Sequence, residues 1–165
     1  MSPNRVKTSG PGETSRLESI AQEIFRLHFL FWSFRRRSRT DDPYELTEPE
    51  FVALDTLARR EVCTVGELQQ TLDVRPAQMS RMIRALESKG EKPFITCVIN
   101  TQDKRRINVT LTELGLKARD EYRARRLVAN MELLKDLSDS ESAELQRLLH
   151  RFRQILSEHL NQPGA

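Results

Sequence analysis

The sequence is short of the residues that mark several large classes of protein. Its two cysteines, Cys63 and Cys97, stand apart, with neither Cys-x-x-Cys spacing nor a histidine cluster beside them. That argues against a zinc site and against a disulfide framework, and a reducing cytoplasm is the expected compartment. Six glycines and seven prolines in 165 residues exclude collagen-like and low-complexity chains. The longest apolar stretch, Ile24 to Phe34, is interrupted by Arg26 and His28. It is far shorter than the roughly 20 residues that a membrane helix needs, so no membrane partner is expected. The first residues include Pro3, Gly10, Pro11 and Gly12 and lack the pattern of a signal peptide; residues 1–13 and 161–165 are expected to be tails.

Catalytic signatures are missing as well. No Gly-x-x-x-x-Gly-Lys-Ser/Thr, His-Glu-x-x-His or Gly-x-Ser-x-Gly string is present, and His28, His150 and His159 fall on long helical stretches. The expectation is a protein that is not an enzyme, with no catalytic residue, metal ligand or cofactor.

Charge, by contrast, is plentiful: 31% of the chain is Asp, Glu, Lys or Arg, with 27 basic against 24 acidic residues and a net charge of +3. So small a surplus hints only faintly at an anionic partner, and its distribution decides more than its sum.

Apolar spacing predicts mostly helix. From Thr14 to Ser38, Leu17, Ile20, Ala21, Ile24, Leu27 and Phe31 recur at three- and four-residue steps. Phe25, Phe29, Phe31, Trp32 and Phe34 crowd more than one side of that helix, so other elements or a second copy must cover it. Arg35, Arg36, Arg37 and Arg39 suit the negative end of its dipole. Thr47 and Glu50 form a capping-box pattern that opens the next helix, and Thr64 and Glu67 repeat it for a short one. A further helix starts at Pro76 and ends before Gly90, residues suited to a first turn and to the position past a last turn. Phe94–Ile99 and Ile107–Leu111 switch to a period of two and predict a two-stranded hairpin. Thr112 then caps a helix to about Asp136, and Ser138 or Asp139 caps a last one, striped by Leu145, Leu148, Leu149, Phe152, Ile155, Leu156 and Leu160.

Two short helices joined by a tight turn and followed by a hairpin form a winged helix-turn-helix, whose second helix enters the DNA major groove. In the helix from Pro76, Met79, Met82, Ile83 and Leu86 take the core face, leaving Ala77, Gln78, Ser80, Arg81 and Arg84 on the other. Arg suits the guanine edge and Gln the adenine edge, while Ala and Ser let the backbone come close. Between Arg75 and Arg106 there are eight basic residues against three acidic ones, a local excess above that of the whole chain. The candidate DNA-contacting set is Arg75, Ala77, Gln78, Ser80, Arg81, Arg84, Lys104, Arg105 and Arg106, to which the resemblance that follows adds Asp103.

At the end of the hairpin, Asp103-Lys104-Arg105-Arg106-Ile107-Asn108-Val109-Thr110-Leu111-Thr112-Glu113-Leu114-Gly115 resembles the Asp-x-Arg-x-x-x-Val-x-Leu-Thr-x-x-Gly string of the MarR family of winged-helix transcriptional regulators. Leu68, Val74, Met79-Ser80-Arg81, Leu86-Glu87 and Lys89-Gly90 also fall where that family keeps similar types, so the resemblance covers about Leu46 to Gly115. Arg75, Gln69 and the run Gly90-Glu91-Lys92-Pro93 depart from its pattern. The resemblance implies a mainly α fold with a small β-hairpin wing. A single domain over 14–160 would hold a DNA-binding part at about 46–112 and dimerisation helices at about 14–38 and 113–160. It also implies a homodimer with interlocking terminal helices, bound to a pseudo-palindromic operator on double-stranded DNA. In that picture Asp103 orients Arg105 by a charge-assisted hydrogen bond, and Arg105 enters the minor groove. Many relatives are repressors released by a small anionic or phenolic effector; Phe25, His28, Phe29 and Trp32, with the region of Met131, are candidates to line its pocket. Redox-sensing relatives use a cysteine in the first helix, which this chain lacks. The alternative from another class is a winged-helix module that docks on an acidic protein without reading DNA sequence.

Overall fold

The computed structural model describes residues 11–37, 43–60, 62–89 and 92–160. The expected tails at 1–10 and 161–165, the arginine at 39, and Gly90 and Glu91 lie outside the described residues. The chain divides into two units, Met1–Pro43 and Tyr44–Ala165.

The first unit holds α1 (Pro11–Arg37), which starts three residues ahead of the expected Thr14. Most of its described apolar residues are exposed, among them Phe25, Phe29 and Trp32, while Phe34 is half-buried. Phe25 and Phe29 meet edge to face at 5.0 Å, and His28 meets Phe29 in the same manner at 6.1 Å.

The second unit runs α2 (Glu48–Arg60), β1 (Val62–Thr64), α3 (Val65–Leu72), α4 (Pro76–Ser88), β2 (Ile95–Ile99), β3 (Ile107–Leu111), α5 (Glu113–Leu134) and α6 (Asp139–Leu160). Each capping pattern in the sequence has its hydrogen bonds. Thr47 Oγ1 accepts from Glu50 N, and Glu50 Oε2 accepts from Thr47 N at 2.7 Å. Thr64 and Glu67 make the same exchange, and so do Ser138 and Glu141. Thr112 Oγ1 accepts from Gly115 N at 3.0 Å while its own hydroxyl donates to the Pro93 carbonyl, so one side chain starts α5 and ties it to the wing.

The core is a single cluster. Leu54, Leu57, Leu68, Met79, Leu86, Phe94, Ile95 and Val109 are all fully buried, joining α2, α3, α4 and the sheet. Burial of one such side chain stabilises the fold by about 1.5–3 kcal/mol. Helix α2 is also tied to α5, through Phe51 stacked on Tyr122 at 4.5 Å and Arg119 donating twice to Asp55 Oδ1 at 2.7 and 3.0 Å.

The expected two-stranded hairpin is instead a three-stranded antiparallel sheet in the order β1-β3-β2. In it Cys63 and Cys97 both pair with Val109, one from each side. The extra strand comes from three residues before α3 whose partner lies about 45 positions on, too short a run to carry a readable period.

Candidate nucleic-acid interface

The turn between α3 and α4 is built on Asp73, which takes left-handed backbone angles (φ 48°, ψ 47°) while its N–H bonds back to the Gln69 and Gln70 carbonyls. Asp tolerates that conformation better than most residues do. Helix α4 starts without the usual capping hydroxyl, since Arg75 occupies that position. The reach-back half of the cap is present: Gln78 Oε1 accepts from Arg75 N at 3.2 Å. Pro76 takes the first turn, where its missing N–H costs nothing.

Met79, Ile83 and Leu86 bury one face of α4 and Met82 is half-buried, as the spacing predicts. Arg75, Ala77, Gln78, Ser80, Arg81 and Arg84 are all exposed. Their side chains are not equally free. Gln78 serves the cap, and Arg84 folds back so that its Nε donates to the Ser80 carbonyl at 3.2 Å. Among the described residues the Arg81 side chain has no hydrogen bond or ion pair, so its guanidinium is open to an incoming partner.

The wing tip, residues 100–106, is closed by its own polar groups. Asn100 N donates to the Arg106 carbonyl and Arg106 N to the Asp103 carbonyl, both at 2.9 Å. Asn100 Oδ1 accepts from Gln102 N at 2.8 Å and Asp103 N at 3.1 Å, and its Nδ2 donates to Asn108 Oδ1. Asp103 does not hold the Arg105 side chain. Its Oδ1 accepts the Arg105 backbone N–H at 3.0 Å, and its Oδ2 pairs with Arg106 Nε at 3.2 Å. Asp103 thus neutralises Arg106, and the exposed Lys104 and Arg105 side chains have no ion pair among the described residues.

Asn100 and Asn108 thus help to close the wing, a role that neither apolar period nor charge assigns them. The available signal was an Asn at the end of an alternating strand, a residue whose side chain bonds the backbone two positions on.

The thiols are poorly placed for chemistry. Burial pushes the Cys63 thiol up, and the nearby Glu67 carboxylate adds to it; burial and Glu87 push Cys97 up to about 12. A thiol must ionise to react, so both are disfavoured as nucleophiles near neutral pH. Of the candidate pocket residues, Phe25, His28, Phe29 and Trp32 all lie exposed on α1. Separately, a groove of about 540 Å³ is lined by Leu134, Leu145, Leu149, His150 and Arg153 of α5 and α6. Among the described residues, no helix is long and apolar enough to cross a membrane, and no cluster of His, Cys, Asp and Glu could hold a metal ion.

A two-helix unit with a core-anchored second helix, an exposed polar face and a basic wing is a winged helix-turn-helix of the DNA-binding kind. Residues 46–107 match the model of the MarR family. No curated protein matches the sequence. Among solved structures, the YusO protein of Bacillus subtilis is 24% identical, covers 85% of this chain and 96% of its own, and superposes with a TM-score of 0.67. Wild-type MarR of E. coli, in its apo form, is 26% identical over 76% of this chain and 95% of its own, with a TM-score of 0.59. The PcaV transcriptional regulator of Streptomyces coelicolor is 21% identical over 91% of this chain and 99% of its own, also with a TM-score of 0.59. Residues 46–107, the winged helix-turn-helix, are similar to the MarR family by this match, and the chain takes the fold of these solved structures.

Proposed function

We propose that the protein is a cytoplasmic transcriptional repressor that binds a pseudo-palindromic operator as a homodimer and is released by a small anionic or phenolic effector. The observation that carries the DNA-reading part is the unpartnered Arg81 beside Ala77 and Ser80 on the exposed side of α4, whose other side is fixed in the core. Two short side chains flanking a free guanidinium let the helix sit deep in a major groove with a guanine-reading group aimed at the base edges. Lys104 and Arg105 at the wing tip supply cations for an adjacent minor groove, where A·T-rich sequence deepens the negative potential.

The homodimer is supported by the apolar residues left uncovered on the terminal helices. Helix α6 buries none of its residues and exposes Leu148, Leu149, Phe152 and Leu156, and α1 exposes Ile20, Ile24 and Leu27. Apolar area on this scale is characteristic of an interface. Two copies place two reading helices on half-sites about one helical turn apart. The exposed aromatics Phe25, Phe29 and Trp32 support an effector with an aromatic ring.

The test is selection of duplexes from a random library, followed by anisotropy titration of a selected and a scrambled duplex at two salt concentrations. Selective, salt-sensitive binding is expected. Equal binding to both duplexes would favour docking on an acidic protein instead.

A further inference from the structure

Helix α4 is anchored at its far end by a charged tie to another helix. Lys89, the residue that caps α4, donates its Nζ to both oxygens of Glu50, at 2.9 and 2.7 Å. The two side chains are 21% and 8% exposed, so the pair is largely shielded from water. Glu50 is itself held rigidly: its Oε2 also accepts from the Thr47 backbone N–H at 2.7 Å and the Thr47 hydroxyl at 2.9 Å. It stands on the first turn of α2, whose other side is fixed to α5 by Phe51 on Tyr122 and Asp55 with Arg119.

The remaining hold on α4 is the apolar contact of Met79, Ile83 and Leu86, with one backbone bond near the same end, from the Phe94 N–H to the Leu86 carbonyl at 2.9 Å. Apolar contact keeps two helices together, but it is non-directional and resists rotation or sliding only through shape. An ion pair with fixed hydrogen-bond directions adds what the apolar face lacks. Since α4 carries the exposed row around Arg81, a small rotation of the helix would move every one of those side chains against a base edge.

We propose that Glu50 and Lys89 are positioning residues for DNA recognition: their pair fixes α4 against α2, and so sets how the Arg81 row meets the groove. The proposal rests on the DNA-reading function above. It makes a prediction opposite to that of simple electrostatics. Glu50→Gln removes a negative charge from the protein, which by itself tightens binding to any duplex. A positioning role requires instead that the variant lose discrimination.

The experiment uses the full-length protein, a duplex selected by the wild type from a random library, and a scrambled duplex. Anisotropy gives the affinity ratio between the two for wild type, Glu50→Gln, Lys89→Met, Lys89→Arg and the double variant Glu50→Gln/Lys89→Met, with thermal unfolding as the folding check. Glu50→Gln keeps an acceptor for the Thr47 N–H, and Lys89→Met leaves the capping bonds of Glu50 intact, so the two variants perturb the fold by different routes. The expected result is a ratio lowered on the order of tenfold, the scale of one lost base contact. Both single variants should show it, the double variant should be no worse than either, and Lys89→Arg should restore it.

If Lys89 simply touched phosphate, Lys89→Met would weaken both duplexes equally and make the salt dependence shallower, and Glu50→Gln would tighten both. That pattern overturns the proposal. So does a folded Glu50→Gln protein that discriminates as well as the wild type, with the DNA-reading function left standing. A wild type that selects no sequence removes the DNA-reading function, and the positioning role falls with it.

Discussion

The carbonyl of Phe94 occupies the space that a Cβ on Gly115 would need. A methyl group there would overlap the Phe94 oxygen and lie 2.9 Å from its carbonyl carbon and from a Leu111 methyl. The same Phe94 carbonyl accepts the Thr112 N–H at 3.1 Å, so the residue leading into β2 and the start of α5 share one tight junction. Backbone atoms cannot yield as the tip of a long side chain can. Gly115→Ala is therefore expected to destabilise the protein by about 1–3 kcal/mol or more, read as a lowered urea midpoint. An unchanged midpoint would contradict the packing described.

Arg81 and Gln78 share the exposed side of α4 but differ in what they must give up to read a base. Arg81→Ala is expected to weaken specific binding by about 1–3 kcal/mol and to relax preference at one base pair. Gln78 would have to release the Arg75 N–H, so Gln78→Ala is expected to cost less in specificity and about 1 kcal/mol in stability through the lost cap. Parallel titrations and urea melts of the two variants check both statements.

At the wing, neighbouring arginines are expected to behave differently. Arg105→Ala should lower the slope of log affinity against log salt by about one, because a free cation leaves the interface. Arg106→Ala should change that slope less, since Asp103 already balances its charge. Equal changes in slope would show that the Asp103–Arg106 pair opens on DNA.

Acid should unfold the protein partly through Glu50. Burial alone would push its carboxyl up, but the bonds from Lys89 and Thr47 outweigh it and hold the pKa below the ordinary 4.5. A carboxyl lowered on folding contributes stability that is full above about 4.5 and is lost as pH falls through the folded value. Urea melts between pH 6 and 3 should show wild-type stability falling more steeply than that of Glu50→Gln; parallel curves would exclude Glu50 as a contributor.

Much of this fold is written in local pairs. Thr47 with Glu50, Thr64 with Glu67, Thr112 with Gly115 and Ser138 with Glu141 each lie three residues apart, so the start of a helix is visible without knowing the fold. The buried side of α4 follows from its period for the same reason. What stayed hidden depends on distant partners. Glu50 meets Lys89 across 39 positions and Asp55 meets Arg119 across 64, and nothing near either residue announces the match. Strand β1 exists only because β3 has a free edge to receive it. At the wing the motif carried Asp103 into view but not its geometry, because an Asp can serve a backbone N–H and a neighbouring guanidinium equally well.

Strand β3 is bonded on both edges, by β2 along five residues and by β1 along three. A hairpin attached by its ends alone could swing like a flap, and a protein so built could grip grooves at a range of separations. Here the wing is sewn to the segment that leads into α3, so tilting it means shearing a ladder of backbone hydrogen bonds. The ladder thereby resists changes in the span between wing tip and α4, and a duplex whose groove spacing differed from that span would have to deform to meet both. Sequences that deform easily at that step would be favoured even where no side chain touches a base.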